Sequence, residues 1–207
     1  METTKFILIG GGGHARVVSS IIEAEEISQL EAVFDLNPKI KTLDGVSVYQ
    51  KYSSDLFPDA SAIIAIGDNR IRKQLALTIN HVFGVLIHPS ASLDRLSSLG
   101  KGSVVMQRAV IQRGTRIGKH VIINTASSID HDCVLGDFVH IAPNATLCGE
   151  VVIGDETFIG AGAVVLPQIK IGKRVTVGAG SVVTKNIPDG ATVVGNPGKI
   201  ITSHGAN

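Results

Sequence analysis

Asp130-His131-Asp132 puts an imidazole between two carboxylates at three consecutive polar positions. Histidine is the side chain best matched to accepting a proton near neutral pH, and an adjacent carboxylate orients the ring and stabilises the imidazolium. We therefore read His131 as a general base and Asp132 as its partner. Eighteen residues further on stands Gly149, whose missing side chain leaves room for a substrate and exposes a backbone N–H. A base facing a backbone donor is the pair that acyl transfer requires.

A second group opens the chain. The apolar run Lys5 to Ile9 reads as a buried strand, Gly10-Gly11-Gly12-Gly13-His14 as a turn, and Ala15 to Ala24 as a helix with apolar Val17, Val18, Ile21 and Ile22. The turn fits Gly-x-Gly-x-x-Ala, and the amides of Gly12, Gly13 and His14 at the helix start suit a pyrophosphate. A second strand, Ala32 to Asp35, ends in an acid at the distance where such folds meet a ribose or a base. A third, Ala60 to Ile66, runs into Gly67-Asp68-Asn69-Arg70 and a helix carrying Arg72. Only half of a doubly wound fold fits ahead of residue 87, which favours a mononucleotide over NAD.

From Ile87 a step of six residues meets an aliphatic side chain every time: Ile87, Leu93, Leu99, Val105, Ile111, Ile117, Ile123, Ile129, Leu135, Ile141, Leu147, Ile153, Ile159, Val165, Ile171, Val177 and Val183. Two residues before most of these stands a small or β-branched residue, as at Ser103, Ala109, Thr115, Ser127 and Cys133. An inward pair two residues apart is the alternation of a very short strand, and a period of six then demands a turn after each one. No 3.6-residue helix gathers that period onto one face. The outcome is a prism of stacked coils in which His131, two residues past Ile129, sits at an outward corner with Gly149 and then Pro167 above it. Asn124 directly after Ile123, and His140 directly before Ile141, also point outward, His140 on a different face.

Runs such as Ile153-Gly154-Asp155-Glu156-Thr157-Phe158 resemble the hexapeptide-repeat acyltransferase family over roughly the last 120 residues. The resemblance implies a left-handed parallel β-helix with eighteen residues per coil, usually trimeric. Gly-Gly-Gly-Gly-His-Ala-Arg-Val-Val in front and Ala65-Ile66-Gly67-Asp68-Asn69 in the middle narrow it to bacterial acetyltransferases of nucleotide-linked amino sugars, among which some relatives are sialic acid O-acetyltransferases. Residues 1–84 are then an α/β Rossmann-like βαβ half-domain that binds the nucleotide sugar, and residues 85–207 the all-β acetyltransferase solenoid with a C-terminal cap. Acetyl-CoA is the implied co-substrate. His131 matches the family's catalytic histidine, and many relatives have Glu in place of Asp132. Carried over by position, Gly12, Gly13, His14, Asp35 and Asn69 are substrate contacts, with Asn124 placed to touch the sugar. Gly149 meets the thioester or pantetheine, Lys199 a CoA phosphate, and His140 the acetyl or pantetheine part in a neighbouring subunit's site. A homotrimer with active sites between subunits follows from the same resemblance.

Composition sets limits on the alternatives. A net charge of +1 and 4% aromatic residues supply neither the basic field nor the stacking platform of a nucleic-acid binder. The opening apolar run is too short for a signal peptide or a membrane span, so no membrane partner and a cytoplasmic location are expected. Cys133 and Cys148 lack metal-ligand spacing and read as reduced thiols. The γ-type carbonic anhydrases share the solenoid but need a His-x-x-x-x-His spacing that this chain lacks, so no metal is expected. Transfer to a hydroxyl, and a non-catalytic nucleotide-sugar-binding solenoid, stay open as alternatives.

Overall fold

The computed structural model describes residues 3–203. Its front part is a five-stranded sheet in the order β3-β4-β2-β1-β5, formed by β1 (Thr4–Ile9), β2 (Ser28–Phe34), β3 (Thr42–Leu43), β4 (Val46–Tyr49) and β5 (Ser61–Ile64). Helix α1 (Gly13–Ala24) joins β1 to β2, and α2 (Asn69–Ala76) follows β5. All pairings are parallel except β3 with β4. That hairpin is absent from the sequence reading, although Asp44-Gly45 signals it: both residues have positive φ, 48° and 84°, as a two-residue hairpin turn demands.

Beyond β5 the chain winds as a parallel β-helix of two-residue strands, gathered into faces of six, five and eight strands. Between Leu86 and Val183 strands eighteen residues apart pair with one another, for example Ser128 with Thr146 and Ile129 with Leu147. The aliphatic positions from Val105 to Val193 and the small residues between them form one continuous buried core. Each corner turns through a residue of positive φ, which recurs every six positions from Gly102 to Gly180 and falls on side chains as large as Arg108 and Phe138. An L-residue there costs roughly 1–2 kcal/mol, whereas burying one Ile or Val gains roughly 1.5–3 kcal/mol. Burial of the inward pair therefore outweighs the corner.

The last coil departs from the period. Thr176 pairs with Thr192, sixteen residues away, and strand Ala191–Val194 is then covered by an antiparallel partner, Lys199–Ser203. The family-like closing segment thus seals the open end of the eight-stranded face.

Outward residues stacked on that face explain where the front domain sits. Leu86, Val104 and Ile122 form an apolar column, and with Met106 they share one buried cluster with α1 residues Val18, Ile21 and Ile22. Next in the column come His140, Phe158 and Thr176. At the joint lies Arg72, 1% exposed. Its guanidinium donates to the carbonyls of His120 (2.8 Å) and Phe138 (3.0 Å) on the solenoid, and to Ile66 O (3.0 Å) and Asn69 Oδ1 (2.7 Å) on its own side. Burial pulls its pKa down to about 10, so it stays charged at neutral pH. Lys73 reaches Glu156 at 2.6 Å beside it.

Replacing Arg72 by Met strands these carbonyls in a dry interface. With charged hydrogen bonds worth about 1.5–3 kcal/mol each, a loss of about 3 kcal/mol or more is expected in urea unfolding followed by circular dichroism. Arg72→Lys restores little, because an ammonium cannot span the same fork. An unchanged unfolding midpoint for Arg72→Met would remove this residue as the joint's anchor.

Candidate active site

The corner that carries His131 is templated by the coil beneath it. Thr115 Oγ donates to Asp130 O (2.8 Å) and accepts from Cys133 N (3.2 Å), so one buried hydroxyl pins both ends of the turn that carries His131. Between them Asp132 N donates to Arg113 O at 2.9 Å, and Asp130 Oδ1 accepts from His131 N at 2.8 Å. Asp132 has φ of 58°, a conformation that Asp tolerates better than most residues. The outcome is an exposed imidazole on a fixed backbone.

His131 Nδ1 lies 3.0 Å from Asp132 Oδ2. A carboxylate only accepts, so Nδ1 carries the hydrogen and Nε2 presents its lone pair. The hydrogen bond to Asp132 raises the ring's pKa above the ordinary 6.5, with Asp130 and Glu150 adding to it. A Cβ at Gly149 would stand 2.5 Å from His131 Nε2, so glycine there keeps open the space directly over the ring nitrogen. The Gly149 N–H has no acceptor among the described residues. Burial and nearby carboxylates push the Cys133 thiol up to about 11, and Cys133 and Cys148 are both free.

A separate cleft lies where the front domain meets the eight-stranded face. His140, 8% exposed, points outward from the solenoid yet is roofed by the front domain. Its Nδ1 is 3.1 Å from Gly67 O and its Nε2 is 3.2 Å from Asn124 Nδ2, while Asn124 Oδ1 accepts from Thr125 N at 2.8 Å. The carbonyl fixes the hydrogen on Nδ1, and Asn124 donates to the bare Nε2. Burial drives the His140 pKa down to about 4, so the ring is neutral at pH 7. Phe158 packs edge-on against it, and the His14 ring lies 6.3 Å away with its Nε2 buried and without a hydrogen-bond partner among the described residues. Burial lowers His14 likewise to about 4. A groove of about 520 Å³ continues from Gly67 past Arg70, Phe158 and Arg174.

At the cleft's outer edge is the start of α1. Gly12 and Gly13 are exposed, and the first turn has neither a side-chain cap nor an acidic residue. Among the described residues the N–H groups of Gly12, Gly13 and His14 have no acceptor, as an anion site requires. Asp35 sits beneath this loop, its carboxylate accepting from Gly11 N (2.6 Å) and Asn37 N (2.7 Å).

The residues expected from sequence thus fall into two groups. Gly12, Gly13, His14, Asn124 and His140 meet at the cleft, with Asp35 holding its loop. His131, Asp132 and Gly149 meet at a corner. Within one chain His140 lies at the cleft, beside Gly67 and Asn124 and away from the corner with Gly149. Asn69 lies at the joint beside the cleft: its amide donates to Glu156 O and Thr157 O and its oxygen accepts from Arg72, so its side chain rivets the front part to the solenoid. Lys199 is exposed on the closing strand, apart from both groups. Gly67 and Phe158 were missed as site residues. The apolar outward column Leu86, Val104, Ile122 was the available signal, since it marks the face on which something docks. Among the described residues no cluster of three or more His, Cys, Asp or Glu could hold a metal ion.

Residues 5–79 match the PglD N-terminal domain, and residues 150–185 match the bacterial transferase hexapeptide (six repeats). A histidine-to-asparagine variant of perosamine N-acetyltransferase from Caulobacter crescentus, solved with CoA and GDP-perosamine, is similar over 96% of this chain and 97% of its own. The identity is 36% and the TM-score 0.91. This chain belongs to the hexapeptide-repeat sugar N-acetyltransferases. The acetyltransferase domain of PglB from Neisseria gonorrhoeae FA1090, solved with acetyl coenzyme A, is 38% identical over 96% of this chain and 100% of its own, with a TM-score of 0.88. UDP-N-acetylbacillosamine N-acetyltransferase of Bacillus subtilis (strain 168) is 41% identical over 109 residues, which are 48% of this chain. That match spans about half the length of this curated relative (50%).

His14, His120 and His140 all bind a proton less readily folded than unfolded, each with its pKa near 4 against an ordinary 6.5 and burial as the main cause. Between those values the unfolded chain takes up more protons, so stability drops as pH falls from 6.5 and levels off below about 4. Urea midpoints across that window measure the decline, and His140→Gln should shallow it. A profile flat from pH 6.5 to 4 would contradict the burial of these rings as neutral groups.

Proposed function

We propose that this enzyme transfers the acetyl group of acetyl-CoA to the amine of a UDP- or GDP-linked 4-amino-6-deoxy sugar, for bacterial surface glycan or glycoprotein synthesis. The observation that carries the proposal is the exposed His131, held in the Nε2-basic tautomer by Asp132 under the open space at Gly149. The amine nitrogen attacks the thioester carbonyl carbon while His131 Nε2 takes the nitrogen's proton. The Gly149 N–H faces the developing oxyanion. The C–S bond then breaks, and the imidazolium returns its proton to the departing CoA sulfur. The nucleotide pyrophosphate rests on the free amides of Gly12, Gly13 and His14, and the sugar lies toward Asn124, His140 and Gly67. Lys199 is assigned to a CoA phosphate. Both substrates are products of cytoplasmic metabolism, which supports a cytoplasmic location, and no helix among the described residues is long and apolar enough to cross a membrane.

Topology supports an active site shared between subunits. His131 stands between strand Ser128–Ile129 of the six-stranded face and Val134–Leu135 of the five-stranded face. The cleft is on the eight-stranded face, and in a three-sided prism that face lies opposite the edge carrying His131. A nucleotide sugar in the cleft must therefore present its amine to the His131 corner of another copy, which a cyclic homotrimer of parallel prisms provides three times over.

Release of CoA thiol from acetyl-CoA, followed with a thiol reagent across UDP- and GDP-linked 4-amino-6-deoxy sugars, should identify an acceptor. His131→Ala should then slow turnover by about 10²-fold or more without unfolding the chain. The acid limb of kcat/KM should lie above pH 6.5 and move down in Asp132→Asn, because the base must be neutral and loses the partner that raises its pKa. Thiol release only with sialic acid would replace the amine acceptor by a hydroxyl, and full activity in His131→Ala would remove the base.

Shared sites also predict complementation. Gly13→Glu introduces a carboxylate where the pyrophosphate should rest, at a position with open space around its Cβ. Co-expressed with His131→Ala, it should regain about a quarter of wild-type activity through sites that combine an intact cleft with an intact histidine. No recovery in verified mixed oligomers would place the whole site in one chain.

A further inference from the structure

Gly114 lies in the coil directly below Asp132, and its φ is 76°. Handedness of the backbone does not by itself demand glycine there, since the same corner position is held by Arg108, Ala126 and Asp132 with φ of 54–58°. What demands it is the carboxylate above. A Cβ on Gly114 would overlap Asp132 Oδ1 and come 3.2 Å from Asp132 Cγ. We propose that Gly114 is a positioning residue for the reaction: the space beside its Cα is the socket in which the Asp132 carboxylate rests so that Oδ2 meets His131 Nδ1.

Comparison with another edge of the prism shows why this socket differs from routine packing. Asp137, Asp155 and Asp189 also lie over glycines, Gly118, Gly136 and Gly172. There each carboxylate is fixed by a backbone donor, from Lys119 (2.7 Å), Asp137 (3.1 Å) and Lys173 (2.8 Å). Asp132 has no such anchor; among the described residues its carboxylate has His131 as its one hydrogen-bond partner. With Asp132 N already bound to Arg113 O, the backbone is held and only the side-chain torsions are free to respond. A methyl group at position 114 therefore swings the carboxylate rather than moving the coil, and the His131 contact is what it disturbs.

This inference rests on the reading of His131 as base, and the test separates the two. In Gly114→Ala, kcat should fall about tenfold, a size usual for losing an orienting partner, with KM for both substrates nearly unchanged. The acid limb of the pH–rate profile should move down, as in Asp132→Asn. The groups that act on His131 besides Asp132, namely Asp130 and Glu150, are untouched by the change. In an Asp132→Asn background the further substitution of Gly114 should add nothing to either effect, because a residue that acts only through Asp132 is silent once that carboxylate is gone. Gly114→Asn, with the same Cβ and a better tolerance of positive φ, repeats the measurement if Gly114→Ala folds poorly. A wild-type pH profile in both variants, or effects that multiply in the Asp132→Asn background, would overturn the socket. Full activity in His131→Ala would instead overturn the catalytic reading on which it stands.

Discussion

Everything in this molecule depends on two inward side chains per six residues being buried against their copies in the coils above and below. That one requirement sets the strand length at two, forces a corner after each strand and puts positions eighteen apart on top of one another. It also fixes the chemistry. A corner has little freedom of its own, because its positive-φ residue donates its N–H to the coil beneath, as Asp132 does to Arg113 O, and Thr115 clamps both ends of the corner that carries His131. The His131 imidazole is thus presented on a rigid lattice although its ring is open to solvent. An imidazole on a loose loop would lose the alignment with Gly149 on which direct acyl transfer relies.

The front domain obeys a different constraint. Its sheet and α1 bury themselves on the apolar outward column of one face, and the joint is closed by a buried cation whose ligands are mostly backbone carbonyls. Arg72 thereby sets the depth of the cleft: Gly67 O accepts from both Arg72 and His140. The same desolvation keeps His14 and His140 neutral, so the cleft offers lone pairs and N–H groups rather than charge. Along the groove that continues the cleft stand Arg70 and Arg174, and the uncapped start of α1 forms an anion-seeking outer edge. A nucleotide pyrophosphate at that end and an uncharged, hydrogen-bonding sugar site at the other agree with this division.

The solenoid was legible from sequence almost to the residue, because a period of six leaves the inward positions no choice. His131 at an outward corner with Gly149 above it followed by counting, and the structure places them so. The sheet and α1 of the front domain were legible from the glycine turn and the apolar runs, while the β3–β4 hairpin was missed despite Asp44-Gly45. The side-chain commitments at the joint were not legible. Nothing in the order of residues says that Asn69 will spend its amide on Glu156 and Thr157 carbonyls, or that Arg72 will cross to His120, since such contacts arise only once two domains of unknown relative placement are docked. His140 was rightly turned outward, but what roofs it could not be read locally. Gly114 carried no signal of its own either, because its meaning lies in the carboxylate eighteen residues away.

The most direct test of this account is a crystal structure of the His131→Asn variant with CoA and a UDP- or GDP-linked amino sugar. The stacking geometry predicts the CoA sulfur over residue 131 beside Gly149, with the pyrophosphate on α1 of a second copy and the sugar amine aimed at that sulfur. A sulfur remote from Gly149, or a nucleotide lying beside residue 131 with no second copy present, would contradict it.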